Sequence, residues 1–422
     1  MRRQWIAVAA VLFAIALVAT APAQALDFTD DNCAENPFVV DTTPEAQRVA
    51  NGYNCPTVDL TIRTLQNPPA VVITDAVLPI IAKSITIDGT DVLDPGQRID
   101  LVIDLPGSRL SVIASNGSIN IDNASLKVHD ILKLECNGSV PVDCTITVDL
   151  SDLIASQSFA PLAGPGDVHI DARGQITITN TNTHGGARLE VQSINGGITF
   201  LCGGAGNVGC LDPLTSGVAA LLCPNGFPCP APGDPPITFP TAADLKAVCF
   251  PQGDAVICNG GSVEKRFQAK GDIDVTGSTI TSIEHMSFNS SNGVFKGAGA
   301  VLTSGDNIRI DVRGKTTELS VNLIGATITT GKNTIVLADV CQAAPAVCID
   351  ASNSDLEGLE INIEAQHGNG VVRLCGATLN DLGADFPRVN GDANPNDGAN
   401  GYEPNVLDTG AECAPDPGAT IN

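Results

Sequence analysis

Along most of the chain, aliphatic residues alternate with polar ones in short bursts rather than at helical spacing. The burst recurs as aliphatic-x-aliphatic-acid: ITID from Ile85, LVID from Leu101, INID from Ile119, ITVD from Ile146, VHID from Val168, IRID from Ile308, VCID from Val347 and INIE from Ile361. IDVTG from Ile273 is a looser relative. A period of two predicts strands, with both aliphatics on one face and the intervening residue and the acid on the other. Gly, Asn, Ser or Pro follows within a few residues, as in IDGT, IDLPG, IDNAS and IDARG, so each strand runs into a corner. The first five copies lie 16, 18, 27 and 22 residues apart, an irregular period of about twenty that marks a solenoid. No stretch from Thr57 to Asn380 carries a long amphipathic helix pattern, which excludes alternating β and α layers. The predicted fold is all-β: a parallel β-helix with aliphatics stacked inside and acids pointing outward.

A longer phrase also occurs twice. GDVHIDARG begins at Gly166 and GDNIRIDVRG at Gly305, and NGGITFLCGG from Asn195 resembles GNGVVRLCGA from Gly368. This reads as two similar sets of coils with the phrase as a structural corner. Between them, residues 203–260 are rich in Pro and Cys, with room for one short helix near TAADLKAV. That segment is expected to be a disulfide-pinned excursion from the solenoid or a junction between two solenoid halves. The predicted organisation is therefore a signal peptide at 1–25, an N-terminal cap at 26–56 and solenoid at 57–202. The excursion at 203–260, further solenoid at 261–380 and a Gly/Asn/Asp-rich tail at 381–422 complete it.

The N-terminus assigns a compartment. Arg2 and Arg3 precede an apolar run from Ile6 to Ala19, and Ala23-Gln24-Ala25 offers a small-x-small cleavage site before Leu26. This is the pattern of a secretory signal peptide; a membrane anchor is the alternative, against which the run is short. Cleavage would leave 20 of the 22 basic residues against 47 acidic ones, a net charge of −27. Such a balance disfavours nucleic acid and anionic lipid as partners. No later run is apolar enough to span a membrane, so an exported chain is expected, in the extracellular space, at the cell surface or in the periplasm. Aromatics make up only 4% of residues, so the core must be built from thin aliphatic layers.

Fourteen cysteines fall into neighbours: Cys33 and Cys55, Cys136 and Cys144, Cys202 and Cys210, Cys223 and Cys229, Cys249 and Cys258, Cys341 and Cys348, Cys375 and Cys413. Five of these pairs enclose only five to eight residues, which in an exported chain reads as local disulfides. No CxxC or zinc-type Cys/His quartet is present.

Candidate chemistry is sparse. Gly204-x-Gly206-x-x-Gly209 has the letters of a dinucleotide fingerprint, but it lies between Cys202 and Cys210 with Pro213 following, not between a strand and a helix. The five histidines show no metal or triad spacing, and His169 takes an outward, solvent-facing position. Carboxylates on adjacent coils would stand ~4.8 Å apart. Three outcomes follow: calcium sites, staggered solvated acids, or turn hydrogen bonds to backbone amides, with irregular coil lengths favouring staggering. No cofactor is required, and calcium is the candidate cation. Asp392, Asn394, Asn396 and Asp397 in the tail supply oxygen ligands beside glycines, although glycine comes one place late for an EF-hand loop and the closing glutamate is missing.

From about residue 57 to 380 the chain resembles the right-handed parallel β-helix superfamily, which includes pectate lyases, polygalacturonases and many surface proteins. The hydrolase motifs of that superfamily (NTD, DD, GHG, RIK) are met only in part, by NTHGG at Asn182 and RID at Arg98 and Arg309; the Asp30-Asp31 pair falls outside the solenoid. A lyase-type site would need arginine near acids, and Arg173 with Asp171 or Arg313 with Asp311 are the candidates, for which simple charge pairing is the competing account. The expected function is a non-enzymatic structural, adhesive or matrix role for a secreted or surface-associated solenoid. The alternative is an extracellular lyase or hydrolase acting on a polysaccharide. Self-assembly by end-to-end stacking of coils is a further expected partnership. Ice or mineral binding would need a Thr-x-Thr ladder, for which ITITNTNT at Ile176 alone is too short.

Overall fold

The computed structural model describes the chain from residue 33 onward, apart from 41–51, 64–70, 73–76, 90–98, 104, 156–157, 160–161, 164–165, 202–249, 253–254, 258–263, 283, 314–318, 340–346, 366–369, 384–386, 390–405, 408–419 and 422. The region proposed as a signal peptide lies outside the described residues.

The described strands wind into a parallel β-helix. One coil shows the plan: Arg109–Ala114, Ile119–Asp122 and Ala124–Val128 lie on three successive faces, and Ile131–Cys136 returns above Arg109–Ala114. The second strand of each coil belongs to a 13-stranded sheet, here sheet 1, running from Phe38–Val40 to Val406–Leu407. The first belongs to a 12-stranded sheet, sheet 2, from Tyr53–Cys55 to Arg388–Val389. The third face is divided. Five strands ending at Asn182–Gly185 form sheet 3a, and six beginning at Thr279–Ser282 form sheet 3b. At ~4.8 Å per strand, sheet 1 makes a rod about 60 Å long.

The aliphatic-x-aliphatic-acid units all fall on or at the ends of strands, but on different faces. ITID, INID and ITVD are in sheet 1, LVID begins in sheet 3a, and VHID, IRID and INIE are in sheet 2. Their irregular spacing therefore mixes faces and does not measure coil length. VCID departs from strict alternation. A register shift between Val347 and Ile349 turns Cys348 inward as well.

Inward residues stack in columns. Val112, Leu134, Ile170, Val191, Phe267, Phe288, Ile310, Val336, Ile363 and Val389 follow one another up sheet 2, and every one is buried. Each inner member is covered above and below by another apolar side chain, which is how a chain poor in aromatics closes a core. Where aromatics do enter the column, Phe267 joins Phe200, Phe288 and Phe295 in one stack with ring centroids 5.0–5.2 Å apart.

That aromatic stack flanks the point where the chain leaves at residue 202. Arg188–Ser193 pairs directly with Glu264–Ala269, and Ile198–Leu201 with Ile273–Asp274. Sheets 1 and 2 thus pass the long segment without interruption, and only the third face changes.

The corners differ on either side. Below, Asn123, Leu150 and Asn180 each turn the chain from sheet 1 to sheet 3a as single left-handed residues, with φ of 49°, 47° and 49°. Above, a four-residue turn does so. Ser278, Ala300, Ala326, Ser354 and Ala377 donate to the carbonyls three residues back, with Gly277, Gly299, Gly325, Asn353 and Gly376 at positive φ before them. This is type II geometry, in which the third position favours glycine. The corner from sheet 2 to sheet 1 is crowded instead. A Cβ at Gly174 would fall 2.0 Å from the Pro141 carbonyl oxygen, and one at Gly293 2.1 Å from the Gly271 backbone. Arg173-Gly174 of the repeated phrase marks this corner; Gly314 of the second copy lies outside the described residues.

Two disulfides pair as the spacing predicts, Cys33–Cys55 and Cys136–Cys144. Cys348 and Cys375 are also disulfide-bonded. The remaining predicted pairs lie wholly or partly outside the described residues. Among the described residues, no helix is long and apolar enough to cross a membrane.

Candidate functional site

The outer face of sheet 2 carries three columns of polar side chains, set by strand register. In the central column Lys133, His169, Glu190, Arg266, Ser287 and Arg309 follow one another, and in the next stand Glu135, Asp171, Gln192, Gln268, Asn289 and Asp311. Opposite charges meet along and between these strands. Lys133 pairs with Glu135 at 2.6 Å, Arg188 with Glu264 at 3.3 Å, Arg266 with Glu264 at 2.6 Å and Arg309 with Asp311 at 2.7 Å.

His169 does not simply face solvent. Its ring lies between Asp167 at 3.7 Å and Glu190 at 3.4 Å, with only 23% of the side chain exposed. The Asp167 carboxylate beside it raises its pKa, against burial, and the charges of Asp167, Glu190 and Asp171 act in the same direction as that contact. Burial, with Glu190 and Glu135 adding to it, pushes Asp171 upward against Lys133 and His169. Glu135 is also desolvated, but hydrogen bonds from Lys133 and Asn137 outweigh that and hold it below its ordinary value.

The two arginine–acid candidates occupy equivalent places. Asp171 and Asp311 stand in one column four strands apart, about 19 Å at ~4.8 Å per strand, so the fold does not bring them together. Asp311 takes its ion pair from Arg309, while Arg173 and Arg313 are exposed at the corners. Asp392, Asn394, Asn396 and Asp397 lie outside the described residues.

On sheet 1 the expected staggering of acids does not occur. Asp88, Asp122 and Asp149 are direct register neighbours. Burial first, and then the charges of Asp149 and Asp88, raise the pKa of Asp122. Asp149 accepts hydrogen bonds from Thr179 Oγ1 at 2.7 Å and Asn180 Nδ2 at 2.9 Å. Higher up, acids cap turns instead: Asp274 accepts from Thr276 N at 3.0 Å and Asp350 from Ser352 N at 3.0 Å. Register is set by inward packing, which is indifferent to loop length, so coils of unequal length still align. Among the described residues no group of three or more His, Cys, Asp or Glu side chains is placed to hold a metal ion.

A cleft of about 490 Å³ opens on sheet 2 above the exit of the long segment. Its floor is Ser287 and Asn289 on Met286–Ser290. Arg266 and Gln268 rise on one side and Arg309 and Asp311 on the other, because their strands flank the floor strand. His285, Asn307 and Asn333 close one end. The Asn307 amide lies 3.2 Å from His285 Nδ1, and its oxygen accepts from Asn333 N at 3.2 Å. The Arg309-Ile310-Asp311 segment is visible in the sequence as a partial motif; the rest of the cleft has no signal there, since its residues span 264–335 and meet only through register.

No family model, curated protein or solved structure matches the chain.

Proposed function

We propose that this chain is a secreted or surface-associated β-solenoid with a structural, adhesive or matrix role. The carrying observation is the pair of sheets, 13 and 12 strands long, that run past the long segment without a break. A rod of this kind resists bending because each inner coil is hydrogen-bonded to two neighbours, and side chains on its sheet 2 face are tied into short ion pairs. Export through the N-terminal segment 1–25 fits the disulfides, which persist in oxidising compartments. A second reading, an extracellular lyase or hydrolase of polysaccharides, draws on the cleft where Glu264, Arg266, Arg309, Asp311 and His285 meet.

One experiment separates the two. The full-length mature chain is mixed with the envelope fraction of the producing organism, and both sedimentation and release of new sugar ends are followed. Co-sedimentation without release is expected. Release of sugar ends that the double variant E264Q/D311N abolishes would overturn the structural reading in favour of the enzyme.

A further inference from the structure

The cleft on sheet 2 has the shape and chemistry of a ligand groove. Ser287 and Asn289 are short, and longer side chains stand on both neighbouring strands, so a trough runs along Met286–Ser290. We propose that this trough binds a neutral polysaccharide, a hydroxyl-rich chain without carboxylate or sulfate groups. The inference rests on the adhesive reading and supplies its partner.

Five observations carry it. The lining is dense in planar groups that pair donors with acceptors, namely Gln268, Asn289, Asn307 and Asn333. Such groups match adjacent sugar hydroxyls, each of which both donates and accepts. The lining is also held in place before any ligand arrives. Glu264 receives Arg266 Nε at 2.7 Å, Asp311 receives the Arg309 guanidinium at 2.7 Å, and Asn307 is fixed between His285 and Asn333. Side chains already ordered lose little freedom on binding.

Charge decides between sugar classes. Both guanidinia in the cleft are already neutralised by a carboxylate of the same strand, and the chain as a whole carries −25. A polyanion would be repelled at long range and would find no unpaired cation on arrival, whereas a neutral chain meets neither obstacle. Ile335, partly exposed next to Arg309, adds an apolar surface for the C–H face of a sugar ring. The volume, about 490 Å³, falls within the range of ligand pockets, about 300–1,000 Å³.

The test is affinity electrophoresis of the full chain through gels containing a soluble β-glucan, a xylan or a mannan, with polygalacturonate in parallel. Retardation in at least one neutral gel is expected, insensitive to salt. Ser287→Trp, which fills the floor, and Asn289→Leu should each weaken it at least tenfold, while Thr147→Trp on the outer face of sheet 1 leaves it intact. All three positions face outward, and thermal unfolding checks that the fold is kept. The proposal is overturned by free migration in all three neutral gels, by retardation that neither groove variant weakens, or by stronger retardation in polygalacturonate that Ser287→Trp removes. Envelope co-sedimentation of Ser287→Trp separates the two levels. If it persists undiminished, adhesion stands and the trough is not its means.

Discussion

From Arg109 to Ile198 the core side chains are aliphatic or cysteine, and the chain turns from sheet 1 through one left-handed residue; above 263 the coils begin with aromatics and turn through four residues, with glycine or, once, Asn353 at the bend. In the upper part, strands of sheet 1 shrink to two residues at Ile273–Asp274, Phe295–Lys296 and Val321–Asn322, against four at Ile119–Asp122, Ile146–Asp149 and Ile176–Thr179. At a type II corner the outward acid binds the backbone amide two residues on, whether its strand has two residues, as at Asp274, or four, as at Asp350; at a left-handed corner Asp122 stays in line with Asp88 and Asp149 and feels their charge. One sequence motif thus serves two electrostatic ends, and the corner decides which. The seam between the two styles holds both the aromatic stack and an inward lysine, Lys265, which is 6% exposed.

The largest effect that would test this contrast is at the seam. Phe267→Ala removes the ring that touches both Phe200 and Phe288, and a loss of about 3–5 kcal/mol is expected from denaturant unfolding. Ile170→Val, in the same column among aliphatics, should lose about 0.5–1.5 kcal/mol. A Phe267→Ala loss no larger than that of Ile170→Val would show that the ring is not packed between Phe200 and Phe288.

Lys265 gives the next. Burial lowers its pKa from 10.5 to about 8, so the folded chain holds this proton less readily than the unfolded one. The resulting penalty is complete below about pH 8 and vanishes as pH rises through 10.5, which makes stability from this group increase with pH over that window. Lys265→Met is expected to gain about 3 kcal/mol at neutral pH and to flatten the slope. Parallel pH profiles for the two proteins would show that the amine is solvated in the folded state.

The corners supply the smallest effects, of opposite sign. Gly325→Ala forces a side chain to φ 66° with open space around it, a purely conformational cost of about 1–2 kcal/mol. Leu150, 45% exposed at φ 47°, already carries such strain, and Leu150→Gly should raise stability by about 1 kcal/mol. Melting temperatures that move in the same direction would contradict the assignment of these turns.

Parallel strands and their inward faces were legible because a period of two appears directly in ITID or VHID. Which face each strand joins was not, since ITID of sheet 1 and VHID of sheet 2 look alike to a reader without register. The sequence does carry a signal for the third face. GSTIT from Gly277, GAVLT from Gly299, GATIT from Gly325, NSDLE from Asn353 and GATLN from Gly376 all repeat the bend and the strand after it, and GATIN from Gly418 has the same form. The ion-paired columns and the cleft could not be read at all. Lys133 and Glu135 are two residues apart, but Ser287 meets Arg266 and Arg309 only once three coils are stacked.

The unbroken passage of sheets 1 and 2 also sets an order in time. Strands starting at Ile176 and Ile198 are 22 residues apart, while those at Ile198 and Ile273 are 75 apart. Closing the wider span costs only about 1 kcal/mol more chain entropy, because that cost grows with the logarithm of length. It is nevertheless the slowest closure between neighbours along the rod, since contacts distant in sequence form late. Coils can propagate within each part from a local start. The two parts are thus expected to zip separately and to meet last where Val191 covers Phe267.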